Sequence, residues 1–242
     1  MPPDAKRTQL NRALSKLGYC SRTVAQDWIR TGKITVNGKV SRVPEQWVEL
    51  GTDRIEVVGT SPMAKPSPSR LYLCLHKPAD FVTTRSDELG RKTVYDLLPP
   101  NWASKWVFPV GRLDKDSEGL LLMTDDGTWA NRLTDPEFHV EKTYRVKLDG
   151  KPSASQMREF ASGIELSGGK TRPARIVEEG GGWYQVTLLE GRNRQIRRMF
   201  HDLGYKVKKL IRVAIGPLRL DNLKPGESRV LEPGEVQALF GK

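Results

Sequence analysis

The chain has 242 residues, 37% of them hydrophobic, and carries 40 Lys and Arg against 29 Asp and Glu for a formal net charge of +11. That length and apolar content predict a globular protein of one medium domain or of a small and a larger one. The surplus of positive charge favours a polyanionic partner such as nucleic acid. No run approaches the roughly 20 apolar residues of a membrane span, and the N-terminus MPPDAKRTQL lacks the apolar stretch of a signal peptide. Cys20 and Cys74 lie too far apart in sequence for a disulfide framework, so the expected home is the reducing cytoplasm. His76, His139 and His201 are scattered singly, and without ligand spacing no metal site is expected.

From the N-terminus, Leu10, Ala13, Leu14 and Leu17 recur at i, i+3, i+4 and i+7, the stripe of an amphipathic helix, with Gly18 placed as its C-cap. Ser21 is placed to N-cap a second helix that buries Val24, Ala25, Trp28 and Ile29, with Gly32 closing it. Ile34, Val36, the Asn37-Gly38 pair and Val40 then predict a hairpin with a type I′ turn. Around this unit lie Lys6, Arg7, Arg12, Lys16, Arg22, Arg30, Lys33, Lys39 and Arg42, with few acids before Glu45. The order RxxLxxALxxLGxxSRxxAxxxIxxGxITVNGK, with that charge, resembles the S4 RNA-binding domain over about fifty residues. The resemblance implies an RNA-addressing module at 8–58 that meets phosphates and RNA shape, with Arg12 and Arg22 among its contacts. Residues 59–69, GTSPMAKPSPS, have the composition of a linker.

In the remainder, 70–242, a strand through Leu71, Leu73 and Leu75 ends at Lys77-Pro78. Further strands are predicted at 106–110, 119–125, 141–149, 184–189 and 205–213, and helices at 127–134, 153–163 and 193–204. They mix without the alternation of a doubly wound sheet, so the predicted class is α+β with a mixed, largely antiparallel central sheet. Within GRLDKDSEGLLLMTDDG, from Gly111 to Gly127, a charged turn precedes the run Leu120–Met123, which reads as a strand buried on both faces. A carboxylate at the edge of such a strand requires cations or donors to stay ionised.

Period 2 in EKTYRVKLDG puts Tyr144 on the face of Val146 and Leu148, opposite Thr143, Arg145 and Lys147. In NRQIRRMFHDLG, Ile196, Met199, Phe200 and Leu203 form one apolar stripe with Arg197 on its flank, while Arg194 and Arg198 point away. By themselves, Tyr144 reads as a core tyrosine and Arg197 as a side chain reaching to solvent.

GRLDKDSEGLLLMTDDG, EKTYRV, EGRNRQIRRMF and KKLIRVAIGPLRL, in that order, resemble the pseudouridine synthase family, in its RsuA-type branch that modifies ribosomal RNA and places an S4 domain ahead of the catalytic domain. The likeness spans residues 71 to about 235. One departure is Asp80, where relatives often carry glycine two residues after Lys-Pro, which bears on the turn there.

The resemblance implies that Asp114, of the Gly-Arg-Leu-Asp element, is the catalytic carboxylate. Arg197 is implied as the guanidinium that keeps it ionised, and Tyr144 as the active-site tyrosine, stacking on uracil or assisting proton transfer. Asp116, Asp125 and Asp126 read as turn and capping residues. Arg112 is a candidate loop support or phosphate contact, and Arg212 with Lys206, Lys208 and Lys209 a candidate RNA contact beside the cleft. Isomerisation breaks the N1–C1′ bond of uridine and joins C5 to C1′ without redox change, and the target nucleotide must leave its stack. Asp114 attacking the sugar, attacking the base, and abstracting a ribose proton are all compatible with these residues. The partner implied is ribosomal RNA, and a monomer is expected. Two alternatives stand beside this reading: a non-catalytic RNA-binding ribosome assembly factor on the same fold, and a glycosidase pairing Asp114 with Asp116 or Glu118.

Overall fold

The computed structural model describes residues 7–17, 19–20, 22–58, 70–103 and 107–240. Two compact units divide the chain between Leu71 and Tyr72, and the stretch Asp125–Thr128 groups with the first.

The first unit runs β1 (Arg7–Gln9), α1 (Leu10–Lys16), α2 (Arg22–Arg30), β2 (Ile34–Val36), β3 (Lys39–Ser41), β4 (Trp47–Glu49) and β5 (Ile55–Val57). Leu10, Ala13 and Leu14 of α1 and Ala25 and Ile29 of α2 are fully buried in one cluster with Ile34. Val24 and Trp28, expected inside, pack against that cluster only half-buried. The hairpin of β2 and β3 turns on Asn37 and Gly38, at φ 51° and 79°, the paired positive angles of a type I′ turn. Strand β5 adds to the other edge of β2. Gly32, at φ 75°, ends α2, its amide donating to the Ile29 carbonyl. The expected caps Gly18 and Ser21, and the expected linker, lie outside the described residues.

The second unit contains β6 (Tyr72–Lys77), α3 (Pro100–Ala103), β7 (Phe108–Val110), β8 (Glu118–Thr124), α4 (Gly127–Thr134), β9 (Lys142–Leu148), α5 (Ala154–Ser162), β10 (Glu165–Leu166), β11 (Gly169–Lys170), β12 (Arg175–Gly180), β13 (Trp183–Leu188), α6 (Gln195–Asp202), β14 (Val207–Ile215), β15 (Leu218–Arg219), β16 (Ser228–Val230) and α7 (Pro233–Ala238). A nine-stranded sheet orders them β12-β13-β9-β14-β8-β6-β16, with β15 beside β14 and β7 beside β8. The pairing of β14 with β8 is parallel and every other registered pairing in this sheet is antiparallel, so the α+β, mixed and largely antiparallel architecture is the one observed.

Strand β8 is central, and Leu120, Leu121, Leu122 and Met123 are all 0% exposed. Leu120 and Leu122 pack with Trp129 and Leu133 of α4, while alternation sends Leu121 and Met123 to the other face. Burying a side chain of this size contributes about 1.5–3 kcal/mol. Phe160 of α5 stacks on Phe200 of α6 with ring centroids 4.5 Å apart, which fixes the helix that carries the arginines.

The parallel seam between β8 and β14 is short, registering only Ile211 with Glu118 and Arg212 with Gly119. Gly119 has φ 109°, and a Cβ there would run into the backbone of Arg212. Only glycine permits so close an approach.

Candidate active site

A cleft of about 500 Å³ opens in the second unit, lined among others by Arg112, Asp114, Lys142, Tyr144, Arg194 and Arg212. Its size lies within the range of small-molecule sites, and these residues come from the turn before β8, from β9, from the loop entering α6, and from β14.

Asp114 sits in a turn closed by the Ser117 amide donating to its carbonyl at 3.1 Å. Beneath that turn lies Lys77, the last residue of β6 and 0% exposed. Its ammonium donates to the carbonyls of Ser117 at 2.7 Å, Pro78 at 3.0 Å and Lys115 at 3.3 Å. Burial pushes Lys77 down to about 8, against the opposing pull of Asp116, Asp114, Glu118 and Asp80. A second strap comes from the segment after Lys-Pro: Thr83 Oγ1 donates to the Leu113 carbonyl at 2.7 Å, and the Asp80 amide donates to that of Lys115 at 2.8 Å. Asp80 takes φ 68°, so it adopts the left-handed conformation for which glycine is preferred, one that Asp tolerates better than most residues.

The Asp114 side chain is 25% exposed, and the cation nearest to it is Arg194, whose Nη1 stands 3.5 Å from Oδ2. Arg194 also forks onto Asp116, donating to both carboxylate oxygens at 3.1 Å. Arg197, with a side chain 13% exposed, donates through Nη2 to the Asp116 carbonyl at 2.8 Å and through Nη1 to the Val207 carbonyl at 3.1 Å. The direct pairing of Arg197 with Asp114 is therefore corrected: Arg197 braces the turn through Asp116, and Arg194 is the guanidinium beside Asp114. A helical wheel does not reach Arg194, because that residue is the N-cap of α6 at φ 49°, which swings its side chain toward the turn. Arg198 does point elsewhere, donating to the Ser167 carbonyl at 3.1 Å.

Asp116 is thus more than a turn residue. Burial raises its carboxyl, but the hydrogen bond from Arg194 and the charges of Arg197 and Arg194 outweigh this and hold it below the usual range.

Tyr144 is 9% exposed and shares its face of β9 with Val146 and Leu148, at 0% and 4%. Lys142, two residues earlier, shares that face and also lines the cleft. Across the ladder, Tyr144 is registered with Arg212. Burial, and then the nearby positive charge of Arg212, push Lys142 down to about 8. Arg212, 4% exposed, donates through Nε to the Leu120 carbonyl at 2.7 Å, and its Nη2 has no partner.

Of the other residues singled out for RNA, Arg12 and Arg22 are exposed on α1 and α2, Arg112 is exposed on the cleft, and Lys208 is exposed on β14. Arg212 is not a surface contact, since it belongs to the floor of the cleft. Sequence reasoning missed Lys77, Lys142, Arg194 and Arg192. The last donates to the carbonyls of Gly168, Gly169 and Lys170, fastening the β10–β11 hairpin to the loop before α6. Period 2 from Tyr144 was the available signal for Lys142. Among the described residues, no cluster of three His, Cys, Asp or Glu side chains forms a metal site, and no helix is long and apolar enough to cross a membrane.

An ionisable carboxylate flanked by a guanidinium, above a floor bearing a phenol and two cations, can stabilise charge of both signs at once. That suits a reaction in which a bond between sugar and base separates into positive and negative partners.

Residues 71–202 match the RNA pseudouridylate synthase family, and residues 9–54 match the S4 domain. The chain is 39% identical to the ribosomal large subunit pseudouridine synthase B of Bacillus subtilis (strain 168), over 96% of this chain and 95% of that one. It is 37% identical to the protein of that name from Yersinia pestis, over 88% of this chain and 68% of the relative. A crystal structure of a pseudouridylate synthase superposes with a TM-score of 0.70 at 31% identity, covering 96% of this chain and 99% of the other. On these matches, this chain belongs to the RNA pseudouridylate synthase family.

Proposed function

We propose that the protein converts a uridine of ribosomal RNA to pseudouridine, with Asp114 as the catalytic carboxylate and Tyr144 as the ring that meets the base. Support comes from one arrangement above all: Asp114 and Tyr144, on separate elements, line a single cleft of nucleotide size. Arg194 stands beside the Asp114 carboxylate, and Arg197 acts as a positioning residue through the Asp116 turn. The domain at 8–58 supplies RNA affinity through exposed cations such as Arg12 and Arg22, residues 59–69 link it to the catalytic domain at 70–242, and Arg112 and Lys208 extend the contact. The enzyme works as a cytoplasmic monomer without cofactor or metal. Since relatives carry the name of a large-subunit enzyme, large-subunit RNA is the first substrate to test.

Tritium release from C5-labelled uridine in ribosomal RNA reads the reaction directly, because C5 loses its hydrogen when it joins C1′. The Asp114→Asn variant is expected to fold and bind RNA as the wild type does and to release none. Wild-type protein that releases none from either subunit's RNA, while its loss from cells still impairs ribosome assembly, would leave the assembly factor as the correct reading.

A further inference from the structure

We propose that Lys142 and Arg212 form an anion pocket that receives a carbonyl oxygen of the uracil while it is detached from the ribose. The proposal deepens the reading of the chain as a pseudouridine synthase and rests on it.

Both side chains stand on the sheet face that carries Tyr144, Lys142 two residues before it and Arg212 across the ladder from it, and both line the cleft. They are near enough that the charge of Arg212 acts on Lys142. Among the described residues, no carboxylate pairs with either: Lys142 donates to the Val140 carbonyl at 3.1 Å, and Arg212 to that of Leu120. The other cations of the site differ in this respect, since Arg194 and Arg197 both sit against Asp116. Arg212 is moreover 96% buried by its 4% exposure and keeps Nη2 without an acceptor. A buried unsatisfied donor is costly, and two like charges side by side in a partly dry cleft are costly as well. An oxygen that gains negative charge between them relieves both penalties.

The reaction generates such an oxygen. When N1–C1′ breaks, its electron pair goes to N1 and is delocalised onto O2 and O4 of the uracil. The base then turns, C5 uses a ring electron pair to bond C1′, the C5 proton leaves, and N1 takes up a proton. Between the two bonds nothing covalent holds the base in place. A cationic floor lowers the barrier to its departure and retains it during the turn. The base is the part of a flipped-out nucleotide that penetrates deepest, whereas its phosphates remain with the strand near exposed groups such as Arg112. That depth favours the base over a phosphate as the occupant.

The test compares single-turnover rearrangement of large-subunit RNA transcripts made with uridine or with 5-fluorouridine, by wild type and by Lys142→Met. Fluorine at C5 makes the base a better leaving group that needs less help. With no C5 proton to lose, the joined base keeps its fluorine and adds water across N1 and C6, and formation of that product is the rearrangement measured on this RNA. The expected result is a loss of about 100-fold on uridine RNA, a loss at least about threefold smaller on 5-fluorouridine RNA, unchanged RNA affinity, and substantial recovery in Lys142→Arg. Where Lys142→Met fails to fold, Lys142→Gln and Arg212→Lys take its place under the same criteria. Equal losses on both RNAs together with weakened binding would assign the pair to a phosphate, and an unchanged rate would remove it from the reaction; either overturns the proposal. Absence of rearrangement by the wild type refutes instead the enzymatic reading beneath it.

Discussion

Replacing Lys77 by Met tests whether the buried ammonium shapes the Asp114 turn. Lys77 is wholly buried and donates to three carbonyls, two of them in that turn. Hydrogen bonds involving a charged group contribute about 1.5–3 kcal/mol each. Against them stands the cost of carrying the charge inside: burial lowers the ammonium from 10.5 to about 8, which corresponds to roughly 3 kcal/mol. Lys77→Met removes that cost with the bonds, so the net destabilisation expected is about 1.5–6 kcal/mol, read by urea unfolding. The pH dependence adds a signature. The folded-state value lies below the ordinary one, so the folded protein gives up this proton first as pH rises. Wild type should therefore gain stability relative to Lys77→Met between about pH 8 and 10.5, and the gap should be constant below pH 8. A turn displaced by about 1 Å costs on the order of 100-fold in rate, so tritium release should fall with stability. A Lys77→Met protein as stable as wild type, equally active, and showing no difference in slope above pH 8 would refute the reasoning.

Asp116→Asn should narrow a pH-dependent gap of the opposite kind. The Asp116 carboxyl lies below its ordinary range when folded, so it stabilises the protein above the unfolded value of about 4, and this contribution is lost as pH falls through the folded value. With its side chain 48% exposed, the gap should stay under about 1 kcal/mol, measured by unfolding at pH 7 and pH 3. Asp80→Gly should leave the unfolding midpoint nearly unchanged, since left-handed strain is traded for chain entropy, whereas Asp80→Val should destabilise by about 1–2 kcal/mol. Gly119→Ala places a methyl group against the Arg212 backbone and should cost about 2 kcal/mol or more by thermal unfolding.

Elements with strong internal periodicity were legible from the sequence. The run at Leu120–Met123 appears as β8, the alternation around Tyr144 as β9, and the helix stripes as α1, α2 and α6. Strands β12 and β16 were not anticipated. They form the two edges of the large sheet, and β12 is mostly exposed, with the pattern RIVEEG; an edge strand with little to bury carries no alternation to read. At the site, Asp114 and Tyr144 followed from motif resemblance, but the arginine geometry did not. Arg194 was assigned a helical direction it never has, because a left-handed N-cap is a property of the turn and leaves no periodic trace. Lys77 stood next to a proline in plain sequence, yet nothing local distinguishes a buried ammonium from a surface one when two of its three acceptors are about forty residues away.

The two-residue parallel contact between β8 and β14 makes the cleft a joint. Asp114 belongs to one antiparallel block, built on β6, β7, β8 and β16, while Lys142, Tyr144 and Arg212 belong to the other, built on β9, β12, β13 and β14. Each block has ladder partners of its own, and beyond this seam the two are tied by Arg194 and Arg197 on Asp116 and by Arg212 on the Leu120 carbonyl. Damage at the suture itself, around Gly119 and Ile211, misaligns carboxylate and phenol together. The registered residues and these tethers together keep the halves in step.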